Sequence, residues 1–129
     1  VAALKAIQKG TRYLGDAWYL VGTSFQIGRK YKEAAEAYER AISAKSDLSS
    51  AYNNLSQIYL IQNRLEDGIA VLNRGIQANP NDGSLYVNLA WFHSLLGRIN
   101  EAIGAGKKAV ALLPNYYMGY TNLCRAYND

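Results

Sequence analysis

Apolar residues in this chain recur at steps of three and four, and the recurrence stops and restarts at regular places. Trp18, Val21, Gly22 and Phe25 share one face of a helix. Gly28–Arg29 breaks that pattern, and Tyr31, Ala34, Tyr38 and Ala41 begin a second face of the same kind. The two faces return as Tyr52, Leu55, Ser56 and Tyr59, then Leu65, Gly68, Leu72 and Gly75. They return again as Tyr86, Leu89, Ala90 and His93, then Ile99, Ala102, Gly106 and Ala109. Ser46–Asp47, Pro80 and Pro114 close the three stretches. Proline lacks an N–H and disfavours helix in the residue before it, and Asn79–Asp82 spells a strong turn. The pattern predicts helices over about 16–28, 31–44, 50–62, 65–78, 84–96, 99–112 and 118–127.

The stretches share a register. Trp18, Tyr52, Tyr86 and Tyr120 follow one another at a constant step of 34 residues. At the same step run an aliphatic column (Val21, Leu55, Leu89, Leu123), a small-residue column (Gly22, Ser56, Ala90, Cys124) and a second ring column (Phe25, Tyr59, His93, Tyr127). A period of this size means stacked supersecondary units, which build binding surfaces rather than single buried active sites. The small column lets the two helices of a unit approach closely, while rings and leucines fill the space between units. Gly68, Gly75 and Gly106 stand in second helices, where each glycine costs about 1 kcal/mol against alanine. Looser second helices are the expectation in those units.

These residues resemble the tetratricopeptide repeat (TPR), whose pattern is W-x2-L-G-x2-Y, then A-x3-F, then P. The resemblance covers about residues 15–129. It implies an all-α fold: an α-solenoid of antiparallel helix pairs wound as a right-handed superhelix. The departures are Gly106 for a large residue, Gly68 and Gly75 for alanines, His93 for tyrosine and Ser46 for proline. The units read as 15–48, 49–82 and 83–116 in one TPR domain. Residues 1–14, with Ala3, Ala6 and Ile7, resemble the second helix of a preceding unit, and 117–129 the first helix of a further one. The chain thus reads as a fragment of a longer protein. Solenoids normally end in a polar cap. Tyr120, Leu123 and Tyr127 have none, which predicts self-association through the terminal helices.

Half of the residues are hydrophobic and only two are proline, as in a folded helical domain. No apolar run approaches the roughly 18–20 residues of a membrane span. The single cysteine, Cys124, excludes an internal disulfide and favours a cytoplasmic setting. The formal charge is +4. Its basic residues fall mostly on second helices and turns (Lys30, Lys32, Arg40, Arg64, Arg74, Arg98, Lys107, Lys108), a solvated outer face rather than a nucleic-acid groove. No catalytic constellation is present. His93 stands alone in a packing column, one His and one Cys cannot build a zinc site, and the glycines form no phosphate loop. No cofactor is implied. Glu33, Glu36 and Glu39 read as a solvated helix face.

Function therefore falls to the surface. In TPR proteins the first helices line the concave groove. The inward positions here hold Tyr19, Leu20 and Thr23; Asn53, Asn54 and Gln57; Val87, Asn88 and Trp91; and Thr121, Asn122 and Arg125. Asn54, Asn88 and Asn122 again repeat at 34 residues. An amide offers donors and acceptors that match a peptide backbone. The column resembles the asparagine ladder of the TPR superhelix of O-linked N-acetylglucosamine transferase, and it stops at Leu20 in the first unit. Trp91 and Tyr19 would add side-chain contacts. A further TPR subclass grips the C-terminal carboxylates of chaperones with a clamp of lysine, arginine and asparagine side chains. Those positions hold Tyr19, Thr23, Asn54, Ser84 and Asn88, where only the central Asn matches. The expected partner is thus a protein or peptide segment other than a chaperone tail. Stacking into an oligomer, or docking substrates for a larger enzyme, are the alternatives.

Overall fold

The computed structural model describes residues 13–113. They form six α-helices: α1 (Leu14–Ile27), α2 (Tyr31–Ala44), α3 (Ser49–Ile61), α4 (Leu65–Ala78), α5 (Gly83–Leu95) and α6 (Ile99–Leu112). Consecutive helices pack on one another, and α3 also touches α5 directly. The result is an all-α helical-repeat solenoid with α1, α3 and α5 in one layer and α2, α4 and α6 in the other. The second helices begin where the apolar spacing places them. The first helices begin one or two residues earlier than that spacing indicates, because Gly15, Ser49 and Gly83 join the first turn. The segments 1–12 and 114–129, with the end helices and the apolar face of Tyr120, Leu123 and Tyr127, lie outside the described residues.

The turn inside each pair is built the same way three times. Arg29, Asn63 and Gly97, again 34 residues apart, adopt left-handed φ values of 60, 58 and 73°. Each turn is a Schellman motif. The N–H groups of Lys30, Arg64 and Arg98 donate to the carbonyls of Phe25, Tyr59 and His93 at 2.9, 2.7 and 2.9 Å. This geometry suits glycine and is tolerated by asparagine. Arg29 adopts it at a steric cost that the closed turn offsets. Acidic residues open α2 (Glu33), α4 (Glu66, Asp67) and α6 (Glu101), where they complement the helix dipole.

Within and between units, ring-for-glycine exchanges set the packing. Tyr38, Leu55, Ile58, Leu72, Leu85 and Phe92 are fully buried. A Cβ on Gly22 would sit 2.7 Å from the Tyr38 ring, one on Gly75 would crowd Tyr52 and Leu85, and one on Gly68 would overlap Phe92. Gly68 and Gly75 are therefore receptors for rings from neighbouring helices rather than loose points. The unit-one equivalents of Gly68 and Phe92 are Ala34 and Ile58, both fully buried. The smaller α4 residue, Gly68, meets the larger α5 residue, Phe92, whereas one unit back the larger Ala34 meets the smaller Ile58. The one buried polar residue of the described core, Ser56, donates to the Asn53 carbonyl at 2.7 Å. The loops are tied as well. Asn79 donates to the Asp47 carbonyl and to Ser49 Oγ, both at 2.9 Å, and Tyr52 donates to the Ser46 carbonyl at 2.7 Å.

Candidate peptide-binding groove

The layer of first helices presents Tyr19, Leu20 and Thr23 from α1, Asn53, Asn54 and Gln57 from α3, and Asn88 and Trp91 from α5. Leu20 is 57 % exposed. The other seven are partly buried, a position that suits contact with both core and ligand. Val87 departs from its expected place on the open face and is buried. Trp91 packs against the hydrophobic core. Asn122 and Arg125 lie outside the described residues.

The amides are bonded across units. Asn54 donates through Nδ2 to the hydroxyls of Tyr19 (3.0 Å) and Tyr38 (3.2 Å). Both of its N–H bonds are thereby used, and its Oδ1 is the group left for a ligand. Asn88 donates through Nδ2 to Asn53 Oδ1 at 2.8 Å. Asn53 in turn donates to Ser84 Oγ at 3.0 Å, and Ser84 donates to Asp82 Oδ1 at 2.6 Å. The chain of bonds ends at the α5 N-cap, where Asp82 also accepts from the Ser84 amide. Burial raises the pKa of the Asp82 carboxyl, but hydrogen bonds from Ser49 and from the Ser84 hydroxyl and amide outweigh it, leaving the carboxyl below its ordinary range. One amide, Asn54, is thus aimed by two phenols, and the other, Asn88, keeps one N–H and its oxygen.

Sequence spacing did not reveal Tyr38 as part of this site. Its ring starts on α2, crosses the face of Gly22 and meets the Tyr19 ring in a tilted contact, centroids 5.7 Å apart. Its hydroxyl donates to Gln26 Oε1 at 2.6 Å and accepts from Asn54. Thr23 Oγ1 donates to the Tyr19 carbonyl at 3.0 Å and lies 3.4 Å from the same hydroxyl. A signal was available. Positions 22 and 38 read Gly and Tyr, 56 and 72 read Ser and Leu, 90 and 106 read Ala and Gly. Only the first pair sets the smallest residue against a ring long enough to traverse the helix pair.

Elsewhere several charged side chains are paired. Arg74 pairs with Glu39 (3.0 Å), Arg64 with Asp67 (2.8 Å) and Arg98 with Glu66. Arg40 lies over the Trp18 ring at 4.8 Å and Arg64 over Tyr59 at 4.5 Å. Among the described residues no cluster of His, Cys, Asp and Glu could hold a metal, and no helix is long and apolar enough to cross a membrane. His93 is half-buried, and its Nδ1 is buried with no hydrogen-bond partner among the described residues. Burial foremost lowers its pKa; Glu101 and Glu66 pull it up, and Arg98 pushes it down. The unfolded chain therefore takes the proton first as pH falls below the ordinary histidine value of about 6.5. The stability held above that pH is expected to decline on acidification through it. His93→Tyr, which copies Tyr59, should remove that decline in urea titrations at neutral and mildly acidic pH; an unchanged pH slope would exclude His93 as its source.

Sequence profiles of the tetratricopeptide repeat match residues 19–83 and, in a second version, 71–104. The chain belongs to the TPR family. No curated protein matches its sequence. Solved TPR structures match it closely in shape. The first TPR of Spaghetti (RPAP3), bound to the HSP90 peptide SRMEEVD, superposes with a TM-score of 0.80 at 17% identity, over 88% of this chain and 90% of that one. The second TPR domain of human RPAP3, in complex with the HSP70 peptide SGPTIEEVD, gives 0.82 at 20% identity, over 92% and 100%. The MamA protein gives 0.79 at 19% identity, over 98% of this chain and 69% of that one. At such identities the likeness speaks to the TPR fold.

Proposed function

We propose that this TPR domain is a non-catalytic scaffold that holds an extended segment of a partner protein in its concave groove. Asn54, Asn88 and Asn122 meet the segment's backbone, with Asn53, Gln57, Tyr19, Trp91 and Arg125 beside them. The observation that carries the reading is the pre-aimed amide of Asn54. Its N–H bonds go to Tyr19 and Tyr38, so its oxygen is held ready to accept from a peptide N–H. Asn88 supplies the complementary donor and acceptor one unit on. An amide held in place by neighbours loses less entropy on binding than a mobile one. The TPR relatives in complex with chaperone peptides support a groove that takes peptides. Their tails carry adjacent carboxylates, whereas Tyr19, Thr23 and Ser84 here supply no cation to meet them. The occupant is accordingly held through its backbone rather than through paired carboxylates.

The test is selection from a peptide library, followed by affinity measurements on the parent domain and on Asn54→Ala/Asn88→Ala. Each lost amide bond is expected to weaken binding by about 0.5–1.5 kcal/mol. Added salt should change affinity little, since ionic screening acts on charges. Melting curves recorded alongside separate lost contacts from lost folding. Equal affinity in a folded double variant, or binding mapped to the second-helix layer, would overturn the reading.

A further inference from the structure

Three large aliphatic side chains stand in solvent at equivalent positions of the three units. Ile27 is 80 % exposed, Ile61 53 % and Leu95 43 %. They are spaced by the repeat period, at the C-terminal ends of α1, α3 and α5. Single exposed apolar residues need no explanation, but a row of them points to an interaction surface. The row is distinct from the asparagine column. Leu20, Asn54 and Asn88 each lie seven residues earlier on the same helices, which puts the two rows about 10 Å apart along the helix axes.

We propose that the row Ile27, Ile61 and Leu95 docks one amphipathic α-helix of a partner protein, acidic at the end that reaches the α1–α2 turn. Three arguments fix the occupant. First, the row offers no hydrogen bonds. An extended segment would lay unsatisfied backbone against it, while a helix brings its N–H and C=O groups already paired. Second, α3 packs directly on α5, and packed helices lie about 8–10 Å apart, so Ile61 and Leu95 are spaced on that scale. Residues seven apart on a helix are separated by about 10.5 Å and share a face. Same-face residues of a strand fall at about 6.6 Å and 13 Å, which fits worse. Three side chains are also far too small a strip for the roughly 800 Å² per partner of a stable globular interface, so a second copy of the domain is a poorer fit than a single helix. Third, charge is uneven along the row. Lys30, Arg64 and Arg98 follow the aliphatic column three residues on. Arg64 is held by Asp67 and Arg98 by Glu66. Arg29 and Lys30 have no acidic partner among the described residues, and they flank Ile27, the most exposed member. Carboxylates on the docked helix complement that end.

The experiment is an NMR titration of the Ile and Leu methyl groups. The probe is a synthetic helical peptide with leucine at every seventh position and glutamates at one end. A second peptide carries lysines in place of the glutamates, and phosphatidylserine-containing vesicles serve as a further arm. The expected result is saturable shifts at the Ile27, Ile61 and Leu95 methyls. Affinity should fall about tenfold or more in Ile27→Ser/Ile61→Ser, with melting unchanged because both side chains are exposed, and it should also fall for the lysine peptide. Unmoved row methyls, equal affinity in the serine variant, or stronger binding of the lysine peptide would overturn the proposal. So would vesicle binding that the serine variant abolishes, or self-association through the same methyls. None of these outcomes bears on the asparagine column, so the two readings stand or fall separately.

Discussion

Gly68→Ala is expected to destabilise the domain by up to about 2 kcal/mol, although alanine is the better helix former. The added methyl would overlap Phe92 Cε2 and sit 2.9 Å from Cδ2, against a ring that is fully buried and has nowhere to retreat. Overpacking of this kind costs about 1–3 kcal/mol or more, and the helix propensity returns only about 1 kcal/mol. Phe92→Ala empties the same space from the other side and should cost about 3–5 kcal/mol, a large share of a typical domain's 5–15 kcal/mol. The informative variant is Gly68→Ala with Phe92→Ile. It rebuilds the Ala34 and Ile58 pair of the preceding interface and should recover most of the loss, with a coupling of roughly 1–3 kcal/mol. Urea unfolding followed by circular dichroism measures the parent, Gly68→Ala, Phe92→Ile and the double variant, which are the four corners of the cycle. Additive losses would mean that the two positions do not share one space.

Tyr38→Phe should lower stability by about 1–3 kcal/mol, because the ring stays against Gly22 while a part-buried donor and acceptor lose their partner. Asn54 would keep only its bond to Tyr19. Tyr38 itself is fully buried and cannot touch a ligand. If it aims Asn54, a peptide selected on the parent domain should bind the folded Tyr38→Phe variant several-fold more weakly. Calorimetric titration at a temperature well below melting reads this directly. Lower stability with unchanged affinity would make Tyr38 a packing residue and leave Asn54 self-supporting.

The helices were legible in the sequence because both of their signals are local: apolar spacing along each face, and turn residues between faces. Even the strained turns carried a trace, in Gly97 and Asn63, while Arg29 concealed the same geometry behind a residue that seldom adopts it. The core was legible only in part. The ring column of Phe25, Tyr59 and His93 drew attention, yet the fully buried ring of the third unit is its neighbour, Phe92. Which side of α5 turns inward depends on the space left by Gly68 on another helix, and periodicity within one helix carries no record of that. The groove shows the same limit. A fixed step placed Asn54 and Asn88 at equivalent positions, but their bonds differ: one amide answers to two phenols, the other to Asn53. The partner of an amide depends on which side chains are long enough to arrive from a neighbouring unit, as Tyr38 does from the preceding one.

The ties between units lie on both layers and differ in kind. On the first-helix layer they are neutral: Asn54 to Tyr19, Asn88 to Asn53 and Asn53 to Ser84. On the second-helix layer they are ionic: Arg74 to Glu39 and Arg98 to Glu66. Flattening the stack stretches the first set, and curling it tighter stretches the second. The domain is in effect a leaf spring with a stop on each side. Salt loosens ion pairs and leaves amide bonds almost untouched, so ionic strength acts on one stop alone. Exposed ion pairs contribute only about 0–1 kcal/mol each, so that stop is the softer of the two and the amide side does more to set the curvature at which the groove rests.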